Sequence, residues 1–169
     1  VELGGAVGRP FVGHALVVVG DGPERAGLAQ LAVRLGVWDR VVFTGASPRE
    51  ELSALYAACD IFCMLPRAIG HDVEGFGIVY LEAAMHGRPS VGTRSGGVPD
   101  AVIDGKTGIL VEPEDPEAAA EAIAKLMDDQ KLRERLGSNA KRRVESEFGW
   151  DRAAAAFIAA MESMTGKPR

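Results

Sequence analysis

Short apolar, β-rich runs alternate along this chain with segments of helical periodicity, and no hairpin signal falls between them. ALVVV (15–19) ends at Gly20 and is followed by GPERAGLAQLAVRLG, where Leu28, Leu31, Ala32 and Leu35 recur at helical spacing. RVVFTG (40–45) reads as a second strand. SPREELSALYAAC (47–59) then reads as a helix with Ser47 as N-cap, Pro48 in its first turn and Glu50 closing a capping box. DIFCML (60–65), RPSVGT (88–93) and GILVEP (108–113) supply further strands. DPEAAAEAIAKLMDD (115–129), capped by Asp115, and then 131–148 and 150–164 supply helices. Strand and helix in alternation predict an α/β fold: a doubly wound, Rossmann-like parallel sheet with helices on both faces. Strands that are apolar throughout, instead of alternating, predict that both faces are covered. No repeat or linker divides the 169 residues, so a single domain over 1–169 is expected.

Composition narrows the classes. A net charge of −5 argues against a nucleic-acid face, and no apolar run approaches the roughly 20 residues that span a bilayer. Cys59 and Cys63 lack the second ligand pair of a zinc site, and their apolar setting predicts reduced core thiols suited to a cytoplasmic location. No metal site is expected.

In an open parallel sheet, ligands bind beyond the carboxyl ends of the strands. Four glycine-rich segments fall there: GDGP (20–23), TGAS (44–47), LPRAIGHDVEGFG (65–77) and GTRSGG (92–97). Glycine lets backbone N–H groups approach an anion, although strand-to-helix turns use glycine for their own geometry too. GDGPER is not G-x-G-x-x-G, because Arg25 holds the last position. DAVIDGKT is not a P-loop, because Asp100 stands where its first glycine belongs.

EGFGIVYLE (74–82) is the most informative stretch. With a helix beginning near Phe76 or Gly77, the N–H groups of Gly75 to Ile78 form its positive end, suited to a diphosphate. Glu74 stands at the mouth of that helix and Glu82 inside it, so the two can reach opposite ends of one elongated ligand. A carboxylate accepts two hydroxyl hydrogen bonds at once, which suits the diol of a ribose or a hexose. Sugar, diphosphate and ribose together describe a nucleotide sugar. The spacing alone equally allows a solvated Glu82 and a Glu74 that merely favours the helix dipole.

Beyond that motif, the ordered blocks GDGPER, RVVFTG, ELSALYAACDIFCMLP, VEGFGIVYLEAAMHGRPSVG, RSGGVPDAVIDGKTGILVEPED and EFGWDRAAAAF resemble the C-terminal, donor-binding half of retaining glycosyltransferases of family 4 (group 1), which have the two-domain GT-B architecture. The likeness runs over residues 15 to 160, and Glu74 and Glu82 form the family's E-x7-E motif. It implies a hexosyltransferase whose catalytic-site carboxylate, Glu74, contacts the transferred sugar, with Gly75, Phe76 and Gly77 around the sugar hydroxyls. Ile78 and Val79 lie near the diphosphate and ribose, and Glu82 binds the ribose. Thr44, Gly45, Ala46 and Ser47 border the base, and Gly20 and Gly22 floor the cleft. Transfer retains the anomeric configuration with no cofactor or bound metal, and protein positive charge and helix N–H groups stabilise the leaving diphosphate.

The segment before the motif resembles that of bacterial mannosyltransferases acting on phosphatidylinositol mannosides. It implies GDP-mannose, with a UDP-sugar as the other donor, peripheral contact with the inner membrane face, and His71 and Asp72 facing the sugar. A nucleotide-sugar epimerase domain is the alternative class. A third is an interaction role for the basic run KLRERLGSNAKRRVESEF, in which Arg133, Arg135, Lys141, Arg142 and Arg143 approach anionic lipid or simply face solvent.

The chain also departs from the family pattern. The family's first strand of this domain, with its diphosphate-gripping Arg/Lys pair, has no counterpart, and Arg9 is no substitute. The acceptor-binding N-terminal domain is also missing from the pattern. The chain alone is therefore expected to be inactive. Its sheet is expected to break between ALVVV and DIFCML, with edges to be covered by that domain or a second chain, and the alanine face of the last helix is expected to be bare.

Overall fold

A computed structural model describes residues 13–70 and 73–165; in the last helix the side chains of residues 150, 151, 153, 156 and 165 lie outside the description. The chain forms two compact units, Val1–Leu55 and Tyr56–Arg169.

In the first unit, β1 (Leu16–Val19) is followed by α1 (Arg25–Arg34), a 3-10 turn (Trp38–Arg40) that the sequence reading did not anticipate, and β2 (Val41–Gly45). The strands pair in parallel, Leu16 with Val41 and Val18 with Phe43. The register then slips, so that Val19 faces Gly45 and Thr44 is the extra residue of a bulge. Helix α2 (Arg49–Ala58) runs across the unit boundary. It starts two residues after Ser47, whose hydroxyl donates to Thr44 Oγ1 at 3.3 Å and so belongs to the preceding turn. The expected covering of both faces fails for β1, since Leu16 and Val19 are exposed. Of the described residues in this unit only Ala32 and Gly45 are buried.

The second unit is layered on both sides of a three-stranded parallel sheet in the order β3 (Phe62–Cys63), β4 (Ser90–Thr93), β5 (Gly108–Val111). β4 is central and buried at every residue. Its odd-numbered Val91 joins Val111 against Ala119, Ala122 and Leu126 of α5 (Pro116–Asp128, after α3 and α4 below) and Leu136 of α6 (Gln130–Glu147). The opposite face sets Leu110 against Tyr80 of α3 (Ile78–Met85) and against Val98 and Ala101 of α4 (Val98–Ala101). Strand alternation delivers both faces from the same two strands. Gly137 lets α6 come down on the turn after α3, where any Cβ would meet the Gly87 carbonyl. Asp115 caps α5 through Ala118 N–H (2.9 Å), as expected, and Asp129 caps α6 through Leu132 N–H (2.9 Å). α7 (Trp150–Thr165) closes the described chain with Phe157, Ile158 and Met164 exposed.

The strands form two parallel sheets, β1-β2 and β3-β4-β5, and the hydrogen-bonded order stops where the break was expected, between the strands at 15–19 and 60–65. β3 is only two residues long, pairing Phe62 with Ser90 and Cys63 with Val91 of β4. Cys63 on that strand is exposed instead of being a core residue, while Cys59 is half-buried; both thiols are free.

Candidate functional site

The E-x7-E segment lies wholly in the second unit. α3 begins at Ile78, a residue or two later than the sequence suggested, and Gly77 is its N-cap with φ 77°. Only glycine fits: the left-handed conformation is unfavourable for other residues, and a Cβ would also sit 2.5 Å from the Tyr80 ring. No side chain caps this end. Tyr80 is buried and donates its hydroxyl to the Met64 carbonyl at 2.6 Å, which fixes the first turn of the helix against the end of β3.

The residues before the helix are held by backbone. Gly97 N–H donates to the Glu74 carbonyl at 3.0 Å. A Cβ on Gly96 would fall 2.1 Å from that oxygen, and one on Gly97 would fall 1.9 Å from the Gly75 carbonyl. The SGG of GTRSGG therefore serves the close approach of another loop, where the sequence suggested anion contact. Glu74 is half-buried and Gly75 exposed; Phe76 turns its ring into the core, 5.7 Å from Phe148. Val79 packs beside it, and Ile78 is exposed at the mouth of the helix. Phe76 and Val79 are thus partly buried, with their side chains packed against the second core cluster.

Glu82 is the fifth residue of α3, half-buried, and accepts a hydrogen bond from the Tyr56 hydroxyl at 3.0 Å. Burial raises the Tyr56 phenol well above its ordinary value, and the bond to Glu82 adds to the rise. Arg88, just past α3, donates from Nε to the Tyr56 carbonyl at 3.1 Å and from Nη2 to that of Ala57. This cation sits on the carbonyl end of α2, where the helix dipole favours it. Tyr56 and Arg88 were missed from sequence. Tyr56 lay unremarked within the helix read over 47–59, and an arginine after a helix carries no local signal of its partner.

In the first unit the two glycine turns meet. Gly20 N–H donates to the Gly45 carbonyl at 2.8 Å, and both glycines have positive φ. Thr44 Oγ1 bonds the Gly45 carbonyl (3.0 Å), while Asp21 accepts from Gly22 N–H (2.9 Å) and pairs with Arg25 (3.3 Å). Gly20, Gly22, Thr44, Gly45, Ala46 and Ser47 thus share one end of the β1-β2 pair. An apolar groove on α1 lined by Ala29, Val33 and Trp38 includes none of them.

His71, Asp72 and Arg9 lie outside the described residues. Within the basic run, Arg143 donates to the Asp100 and Ala101 carbonyls (2.8 Å each) and lies over the Phe148 ring, and Arg133 donates to Leu126 and Met127. These two are clamps between elements, neither lipid-facing nor simply solvated. Among the described residues no cluster of three His, Cys, Asp or Glu could hold a metal, and no helix is long and apolar enough to cross a membrane.

Known proteins agree with this arrangement. A GDP-mannose-dependent alpha-(1-6)-phosphatidylinositol monomannoside mannosyltransferase of Mycobacterium tuberculosis is 40% identical over 152 residues, covering 89% of this chain and 40% of the relative. A D-inositol 3-phosphate glycosyltransferase of Streptomyces avermitilis is 39% identical over 166 residues, 92% of this chain and 34% of the relative. The chain therefore spans two fifths or less of the length of these relatives. The crystal structure of Anabaena HepE in complex with UDP-glucose superposes with a TM-score of 0.77 at 28% identity, over 88% of this chain and 41% of that one. The family described as glycosyl transferases group 1 matches residues 12–143. The ordered blocks, the parallel sheets and the E-x7-E helix thus have one source: the chain belongs to the group 1 glycosyl transferases.

Proposed function

We propose that residues 1–169 are the donor-binding part of a retaining hexosyltransferase, and that they hold a nucleotide-diphosphate sugar without a metal or other cofactor. The observation that carries this reading is the uncapped start of α3, bracketed by Glu74 and Glu82 and held by backbone from the Gly96-Gly97 turn. Free N–H groups at a helix start favour a diphosphate. Glu74 then meets the transferred sugar and Glu82 the ribose. Development of negative charge on the departing diphosphate is the step that α3's dipole assists, and the family's Arg/Lys pair would supply the remaining positive charge.

GDP-mannose is the favoured donor, because the mycobacterial relative is named for it. That relative's acceptor is a phosphatidylinositol mannoside, which supports peripheral membrane contact by the complete enzyme. The chain spans two fifths or less of these relatives' length, so transfer to an acceptor is assigned to the complete enzyme.

Calorimetric titration of the chain with GDP, UDP and ADP, and then with their sugar conjugates, tests the reading. Selective micromolar-to-millimolar binding, abolished in Glu82→Ala and unchanged by EDTA, is expected. A folded chain that binds none of them refutes donor binding by this chain.

A further inference from the structure

We infer that Tyr56 is a positioning residue for the ribose-binding carboxylate, its hydroxyl holding Glu82 so that the other carboxylate oxygen is presented to the ligand diol. This rests on the donor-site reading above and deepens it. Both residues lie in the second unit, and the bond joins Tyr56 Oη to Glu82 Oε2 at 3.0 Å. Among the described residues Oε1 carries no bond. A glutamate side chain has three rotatable bonds, so an unheld carboxylate must be ordered when ligand arrives. The Tyr56 hydroxyl does that ordering in advance, as a neighbouring group must for a first-contact residue to be preorganised.

Tyr56 is itself held on three sides. Its ring stacks on His86 (6.0 Å between centroids, 21° between planes) and meets Phe62 edge-on (5.7 Å, 62°). Its carbonyl is fixed by Arg88. His86, the C-cap of α3, follows Glu82 by four residues, so the end of that helix carries both the carboxylate and the ring that stacks on the tyrosine. Nothing in that packing requires the hydroxyl. A phenylalanine would fill the same place, and the hydroxyl's one described partner is Glu82.

The experiment compares the nucleoside diphosphate that the chain binds best with its 2′,3′-dideoxy counterpart, in the wild type, Glu82→Gln and Tyr56→Phe. If Glu82 holds the diol, the wild type prefers the ribose form, and Glu82→Gln shrinks that preference. Tyr56→Phe is expected to shrink it roughly three- to tenfold, the size of one hydrogen bond's net effect, while leaving affinity for the dideoxy form unchanged. A purely structural hydroxyl would lower the melting temperature and move both affinities equally, which overturns the inference alone. A preference that Glu82→Gln alters and Tyr56→Phe does not also overturns it alone. No nucleotide binding by the wild type, or a preference indifferent to Glu82→Gln, overturns the donor-site reading and the inference together.

Discussion

Gly77 concentrates several demands in one position. It is buried, holds φ 77°, caps α3 and leaves no room beside Tyr80. Gly77→Ala is expected to destabilise the fold by about 2–4 kcal/mol, the sum of a left-handed backbone penalty and overpacking; urea unfolding measures it, and a loss below about 0.5 kcal/mol would contradict the geometry. Arg143 is a second case. Arg143→Met removes two bonds to carbonyls and the contact over Phe148, an expected loss of about 1.5–3 kcal/mol. Arg142→Ala, whose described bond is a short exposed one to Asn139, is expected to change stability by less than about 0.5 kcal/mol. The sequence could not separate these adjacent arginines, because the carbonyls that hold Arg143 lie about forty residues away along the chain. The placement of Glu74 before α3 and of Glu82 within it was legible for the opposite reason, because the helix start is set by local sequence.

Caps and strand lengths are decided between elements. Asp129 ends α5 and begins α6, accepting from Leu132 N–H. Asp129→Ala is expected to lower stability by about 1 kcal/mol in the same unfolding assay; no change would mean that water replaces the cap. Asp115 and Asp129 both cap the N–H three residues on, but only Asp115 was read as a cap; Asp129 was read as the end of the preceding helix. Ser47 has the same chemistry, yet its hydroxyl goes to Thr44 in the β2 bulge, and α2 starts later. β3 shows the same limit. DIFCML has strand composition throughout, yet only Phe62 and Cys63 pair with β4, although β4 itself continues to Thr93.

At the scale of the molecule, the two units differ in what they bury. Three clusters of buried side chains pack the second, whereas Ala32 and Gly45 are the buried described residues of the first. Amide exchange in β1 and β2 is therefore expected to be faster than in β4 and β5 by orders of magnitude; equal protection would show that the first unit is stabilised by something other than its own core. Alkali should destabilise the second unit. Burial raises the Cys59 thiol and the Tyr56 and Tyr80 phenols above their unfolded values of 9.0 and 10.0. The native state then keeps protons that the unfolded state releases, so their contribution is full below about pH 9 and declines as pH rises further. Urea midpoints from pH 8 to 11 should fall, and a flat profile would refute this. Tyr80 was legible only as a helix-face apolar residue; its hydroxyl bond to Met64 depends on how α3 docks, which periodicity does not encode.

The grip of Gly96 and Gly97 on the chain before α3 is made of main chain on main chain. It works like a tool holder that clamps the shank and ignores the bit. The side chain at position 74 can be exchanged for aspartate, glutamine or alanine while the peptide that carries it stays where it is. Differences in activity among such variants, measured in the complete enzyme, would then report on the chemistry of the end group alone. The same indifference leaves the residue at position 74 free to vary, provided that the two glycines opposite remain glycine.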